Sequence, residues 1–384
     1  MKSALAALLI GMAVMALACG DLEEEEGDAP DITPHDDEND GADNDDVTEP
    51  WEYPYYLIIG GGVSETLSVL TINGPGEFSL ANDVQLTGPS ISETEVAYGK
   101  LFAVCSLSHS VIEYALDDLD IETEIGVGAG SNPLEIAFRS ASRAYLPAFQ
   151  SNDVRVIDPG DDAGEPLAVI PLPAGDELPS DGGETWARPG SAEIAGGKLF
   201  VALSNLGGAH TAGGPGLLAV IDPDENVVTR VIELEGRDAA GMFLDRAADR
   251  LYVLSLGDYD EGFVGNGKVE RVDPAGGTVE AVIETGGSPA EMTVASDGIA
   301  YLANARRGSL LRFDPSANDV LPEIDLPTDD GLSYASAVAA DGNGFLYVSE
   351  FNGDGLFVLD LENGAEIVGS FTVNDGPDTL SFIR

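Results

Sequence analysis

An all-β chain of repeated four-stranded units is the fold class this sequence predicts, on three observations. From Tyr56 onward, short apolar strands alternate with turns rich in Gly, Asp and Pro. Three short signatures recur through that region at a period of about 40 to 50 residues. The chain carries 47 Gly and 22 Pro, and convincing long amphipathic helices are absent. Four-stranded units at this period are the blades of a β-propeller.

The signatures place the strands. A β-rich run ends in Asp, often followed by Pro, at Val156-Ile157-Asp158-Pro159, Val220-Ile221-Asp222-Pro223, Arg271-Val272-Asp273-Pro274 and Arg312-Phe313-Asp314-Pro315. Val358-Leu359-Asp360 is a fifth example and Ala115-Leu116-Asp117 a weaker sixth. An aromatic run comes before it, as in Lys198-Leu199-Phe200-Val201, Arg250-Leu251-Tyr252-Val253 and Phe345-Leu346-Tyr347-Val348. Asn132-Pro133, Ser288-Pro289 and Gly376-Pro377 open units. Each unit reads as a first strand after Gly or Pro, a second with the aromatic residue, a third ending in Asp and a fourth after a turn. Complete units fall near 96–127, 134–171, 191–234, 239–284, 289–325 and 336–372. Two fragments remain, Tyr56 to Leu86 with three strands and Thr379 to Ile383 with one. Joined, they make a seventh blade from both chain ends, and closure of the ring hides edges that would otherwise pair with other chains. The recurring Asp residues are expected to bond turn amides.

These units resemble the YVTN and NHL-type seven-bladed propellers. Tyr301-Leu302-Ala303-Asn304 followed by Leu310-Leu311-Arg312-Phe313-Asp314 carries the likeness most clearly. The resemblance implies the fold and leaves function open, since this fold hosts binders, scaffolds, lactonases and dehydrogenases.

The first residues have a different purpose. Lys2 and the apolar stretch from Ala4 to Leu17 read as a secretory signal over 1–18. Ala16-Leu17-Ala18 followed by Cys19 resembles the lipobox of bacterial lipoproteins, which implies lipidation at Cys19. Ordinary signal cleavage after Ala18 is the alternative. Residues 19–50 then form an acidic linker, with fifteen Asp or Glu and no Lys or Arg between Asp21 and Glu49. Such a run cannot bury apolar surface and repels itself. Residues 51–384 form the propeller domain. Gly20, in the place where Asp would favour the inner membrane, points to the outer membrane of the cell envelope. With Cys19 lipidated, Cys105 has no partner for a disulfide and reads as a buried small hydrophobe.

Charge narrows the partners. With 69 acidic residues against 17 basic ones the net charge is −52, which excludes nucleic acid as a ligand and docking on anionic lipid through a basic patch. The membrane is reached through the lipid anchor alone, and the chain is expected to be monomeric. A protein or small cationic ligand is the expected partner.

Candidate functional residues lie at one end of the propeller. The stretches 173–190, 204–216 and 257–267 exceed ordinary turn length and should share a face. They offer Trp186, His210, Asp258 and Asp260 as ligand-binding residues. Alignment of first strands puts Glu95, Glu135, Glu193 and Glu291 at one position, with Gly241, Ala337 and Thr379 in the other blades. Converging carboxylates raise one another's pKa or recruit a cation, so these four form a candidate site for Ca²⁺ or a similar hard cation. HExxH, paired Cys and GxSxG patterns are absent, and nothing supports a quinone or haem cofactor. The expected function is ligand or protein binding at the cell envelope without catalysis. The alternative is a metal-dependent hydrolase of the lactonase type that uses the channel glutamates.

The acidic, Lys-poor composition suits salty surroundings. Salt near 1 M shortens the screening length to about 3 Å and relieves self-repulsion. The Tm is therefore expected to rise from low to molar NaCl in a thermal melt. A flat or falling Tm would count against this.

Overall fold

The computed structural model describes residues 50–161, 165–173, 185–207, 214–258, 265–327, 334–373 and 376–384. Seven four-stranded antiparallel sheets make up the fold. In the first blade, β1 (Tyr55–Gly61), β2 (Thr66–Gly74) and β3 (Glu77–Leu86) pair with the last strand of the chain. Blade two is β4 (Ile91–Ala97), β5 (Lys100–Cys105), β6 (Ser110–Ala115) and β7 (Ile121–Gly126). Blade three is β8 (Ala137–Ser140), β9 (Arg143–Ala148), β10 (Asp153–Ile157) and β11 (Ala168–Pro171). After the short β12 (Thr185–Trp186), blade four takes β13 (Pro189–Ala195) and β14 (Lys198–Leu203). It skips β15 (Leu206–Gly207) and ends with β16 (Leu217–Asp222) and β17 (Val227–Glu233). Blade five is β18 (Ala239–Asp245), β19 (Arg250–Ser255), β20 (Lys268–Asp273) and β21 (Thr278–Glu284). Blade six is β22 (Pro289–Val294), β23 (Ala300–Asn304), β24 (Ser309–Asp314) and β25 (Asp319–Asp325). Blade seven is β26 (Ala335–Ala340), β27 (Phe345–Glu350), β28 (Gly355–Asp360) and β29 (Glu366–Thr372). The last strand, β30 (Pro377–Ile383), is the first strand of blade one. The sequence-derived units thus match the blades, including the one shared by both chain ends. The two-stranded β12–β15 ribbon was not foreseen. No helix among the described residues is long and apolar enough to cross a membrane.

Burial follows strand position. Second strands sit between neighbouring blades and are covered on both sides, so β1 and β27 are buried at every residue. This is why they read as continuous apolar runs. Fourth strands lie on the outer rim with one side in water, and β29 alternates exposed and half-buried positions. The aromatic residues of the second signature fill the spaces between blades. Tyr145, Phe200, Tyr252 and Tyr347 are fully buried.

The Asp signature closes turns, as expected. Asp222 Oδ1 accepts from the amides of Asp224 (2.8 Å) and Glu225 (3.1 Å). Asp273 takes Ala275 N and Gly276 N, and Asp314 takes Ser316 N and Ala317 N. These turns also serve the preceding blade. Arg143 Nη2 donates to Asn226 Oδ1 at 3.0 Å, and Lys198 Nζ donates to the Ala275 carbonyl at 2.5 Å. Arg271 Nη1 donates to Asn318 Oδ1 at 3.1 Å. A cation of one blade therefore clamps the third-to-fourth turn of the next.

Ring closure combines a strand ladder with a buried polar knot. β30 pairs with β1 from Tyr56↔Ile383 to Gly61↔Pro377. Beside this seam, Asp341 is fully buried and accepts from Tyr55 Oη (2.5 Å), Tyr347 Oη (3.0 Å), Asn343 N (2.9 Å) and Phe345 N (2.8 Å). Those bonds satisfy a carboxyl that burial alone pushes above its usual pKa. Two of its donors belong to tyrosines on different blades, so the knot ties blade seven to blade one. Asp341→Ala leaves these donors buried and unpaired and is expected to cost about 3 kcal/mol or more, read as a lower urea midpoint. An unchanged midpoint would show that the seam does not depend on the knot.

Candidate functional site

First strands line a central channel of about 790 Å³. They run from one face of the ring to the other. Connections between a fourth strand and the next first strand share the starting face with second-to-third connections, and this is termed the loop face. First-to-second and third-to-fourth turns form the opposite turn face. The described ends of the three long stretches, at Pro173, Thr185, Gly207, Gly214, Asp258 and Gly265, all belong to loop-face connections.

The inner edge of each first strand presents backbone amides with no strand beside them. A buried amide needs an acceptor, and glutamates of neighbouring blades supply it. Glu93 Oε2 accepts from Ile136 N at 2.5 Å, and Glu135 Oε2 from Ala192 N at 2.6 Å. Glu291 takes the amide of Val338 in the same way. The register explains the repetition. Ile91, Pro133, Pro189, Pro289, Ala335 and Pro377 pair with the last position of the second strand or the turn just after it. Glu93, Glu135 and Glu291 each stand two residues after such a residue. Ile136, Ala192 and Val338 each stand three residues after one. A β-bulge interrupts the ladder between Ile91 and Glu93, between Pro189 and Ser191, and between Pro289 and Met292. Bulges of this kind re-aim side chains. At Glu93 and Glu291 the side chain beside the bulge reaches across to the next blade.

The four glutamates expected at one position therefore split into two levels. Glu135 and Glu291 occupy the upper level, near the loop face. Glu95 and Glu193 lie two residues further along their strands, pairing with Phe102 and Phe200. The partner of Glu135 and Glu291 in blade two is Glu93, which sequence reasoning missed. Alignment on the apolar residue after Glu misplaced blades two and four. Alignment on the prolines that open the strands places blade four, because Pro189 stands two residues before Ser191, whereas blade two has Ile91 at that position. Gly241, Ala337 and Thr379 do occupy the upper level. A Cβ on Gly241 would lie 2.5 Å from the Ala290 carbonyl, so no side chain fits there without movement. Thr379 Oγ1 instead hydrogen-bonds Thr94 Oγ1 at 3.0 Å.

Asp378 adds a further carboxyl to the channel lining. Burial pushes Glu135 up to about 7 and Asp378 up to about 7. Glu93 stands well above the usual carboxylate range through burial, then through the nearby charges of Glu135 and Glu95. Glu291 is raised by burial, then by Asp378 and Glu135. Among the described residues, no group of three or more His, Cys, Asp or Glu is placed to hold a metal ion. The expected Ca²⁺ site would have to draw on both levels, with Glu135 and Glu291 each already bonded to an amide.

Two of the four expected ligand-binding residues are described. Trp186 pairs with Leu206 in the β12–β15 ribbon. The Arg188 guanidinium lies 4.5 Å from its ring and 5.0 Å from that of Phe149. Asp258 closes the base of its loop, accepting from Asn266 Nδ2 at 2.9 Å, with Arg237 at 3.3 Å. His210, Asp260 and Cys19 lie outside the described residues. Other aromatic residues line the channel, with Phe149, Tyr334 and Phe351 towards the loop face and Tyr98, Phe138 and Phe243 towards the turn face. Tyr334 stacks on Phe351 with ring centroids 5.3 Å apart.

No protein-family model and no curated protein matches the sequence. Solved structures match in fold. A putative 6-phosphogluconolactonase from Bacteroides fragilis is 12% identical with a TM-score of 0.65, covering 87% of this chain and 99% of that one. The hydrazine synthase of Kuenenia stuttgartiensis is 17% identical with a TM-score of 0.59, covering 77% of this chain and 95% of that one. A streptogramin B lyase is 14% identical with a TM-score of 0.55, covering 74% and 87%. At these identities the likeness is one of fold.

The raised carboxyls have a pH consequence. Glu135 binds its proton more tightly in the folded state than in the unfolded chain, where its pKa is about 4.3. The folded state therefore holds more protons between that value and about 7, and stability is lost as pH rises through this window. Glu135→Gln keeps an acceptor for the Ala192 amide and removes the titration. Its Tm should equal that of the parent at pH 4 and exceed it at pH 8. Equal Tm values at both pH values would show that Glu135 ionises freely.

Proposed function

We propose that this chain is a lipid-anchored cell-envelope protein whose propeller binds a cationic ligand or a basic protein segment in its channel, without catalysis. The observation that supports this reading most directly is the gathering of Glu93, Glu95, Glu135, Glu193, Glu291 and Asp378 on one channel wall system with aromatic neighbours. Carboxylates that repel one another gain from a counter-cation, and aromatic faces near the mouth favour an organic one. The channel volume falls within the range of small-molecule sites. Assignment to the YVTN and NHL type rests on the repeat signatures, above all Tyr301 to Asn304. Anchoring at the outer membrane rests on Ala16 to Gly20.

A second reading, a hydrolase of the lactonase type, draws on Glu135 and Asp378. Carboxyls with pKa values near 7 can give and take protons at neutral pH. Its metal-dependent form needs carboxylates of both levels to converge on one ion.

Thermal shift with spermidine, choline, a lysine peptide and Ca²⁺ at pH 8 separates these readings. Binding predicts a raised Tm with at least one organic cation, and a smaller shift in the Glu93→Gln/Glu291→Gln double variant. No shift with any of them would refute the binding reading. Turnover of a lactone panel, lost on chelation and in Glu135→Gln, would establish the hydrolase instead.

A further inference from the structure

The two faces of the ring differ in how the chain reaches them. Residues ahead of the propeller join it only at the turn face. β1 is a second strand, so it starts there with Tyr55, and β30 ends there before Arg384. Trp51 is pinned at the same place. Its N–H donates to Asn343 Oδ1 at 2.9 Å, and its carbonyl accepts from Asn343 Nδ2 at 3.2 Å. Asn343 belongs to the first-to-second turn of blade seven. The indole packs edge-on against Tyr55 and Phe382, with centroids 5.2 and 4.8 Å away. The Arg384 guanidinium lies 4.9 Å from the same ring. Trp51 is only 7% exposed, so it is a fixed point and not the start of a loose end.

We infer that the loop face, with the carboxylate level of the channel just beneath it, is the surface this protein turns away from the membrane and offers to soluble partners. This inference rests on the lipid-anchor reading. The stretch from Cys19 to Trp51 spans at most about 110 Å when fully extended. It enters at the turn face, and β30 alone separates the two faces by about 20 Å. To bring the loop face to the bilayer, the stretch would have to pass around the rim of the ring and lie along the domain. Both partners in that contact are strongly acidic, the stretch with fifteen of the chain's 69 acidic residues and the propeller with all the others. Like charge opposes the wrapped arrangement. The ligand or partner that fits is a cationic one arriving from the aqueous side, not one embedded in the bilayer.

Fluorescence in vesicles tests this with the full lipidated chain. One dye is placed through Ser108→Cys, in the second-to-third turn of blade two on the loop face. Another is placed through Glu225→Cys, in the third-to-fourth turn of blade four on the turn face. Both positions are exposed. Cys105 is buried and its thiol is pushed up to about 12, so it stays unlabelled. The vesicles are phosphatidylcholine with an energy-transfer acceptor on the headgroups, whose reach is comparable with the length of the tether. Because the faces stand about 20 Å apart, quenching at 225 should exceed that at 108 by about twofold or more. Equal quenching, or stronger quenching at 108, in a chain that floats with the vesicles overturns the orientation and leaves the anchor intact. A chain that fails to float, like its Cys19→Ser variant, overturns the anchor reading and the orientation with it.

Discussion

The hydrogen bonds between β1 and β30 join residues more than 300 positions apart into one blade, and the channel exists only because they form. Every other blade is built from one continuous stretch of chain and can be assembled locally. Without the last pairing, the inner edge of β1 and both sides of β30 would face water, and the seventh wall of the channel would be missing. The Asp341 knot adds a polar specification to this apolar seam. Tyr55 and Tyr347 reach the carboxyl only when blades one and seven stand at the right spacing. A seam of Leu and Val alone would be less particular about register.

The same logic runs around the channel. First strands are edge strands turned inward, and their inner amides have no neighbouring strand to bond. Glu93, Glu135 and Glu291 answer this by reaching across to the next blade. Packing sets the raised pKa values, because burial is the largest cause for each of these groups. The upper level is thus both a mechanical tie and a reservoir of protons. The lower level, Glu95 and Glu193, lies two residues further along its strands, opposite Phe102 and Phe200.

Most of the fold was legible in the sequence because the blade repeats. Strand order, blade boundaries, the shared first blade and the Asp-closed turns all follow from signatures that recur. The channel level of each glutamate was not legible in the same way. Adjacent side chains on a strand differ in direction, and a bulge adds one residue to the count without any mark in composition. Blades three and six were placed correctly because Pro and Glu stand two residues apart in both. In blade two Ile91 replaces the proline, and Glu95 drew attention from Glu93. The sequence offers Trp186 and Asp258 as ligand-binding residues of long loops. Their contacts with Arg188 and Asn266 are ones that no local pattern announces.

The placement of β1 has a mechanical consequence. A pull delivered through the residues ahead of Trp51 enters β1 at one end and runs along the strand axis. β1 is bonded on both sides, to β2 from Tyr55 to Gly60 and to β30 from Tyr56 to Gly61. Load along the axis is therefore shared by two ladders in shear, and their bonds strain together instead of opening one after another. The chain is gripped at a strand bonded on both sides, so the seam that closes the ring is also its point of suspension.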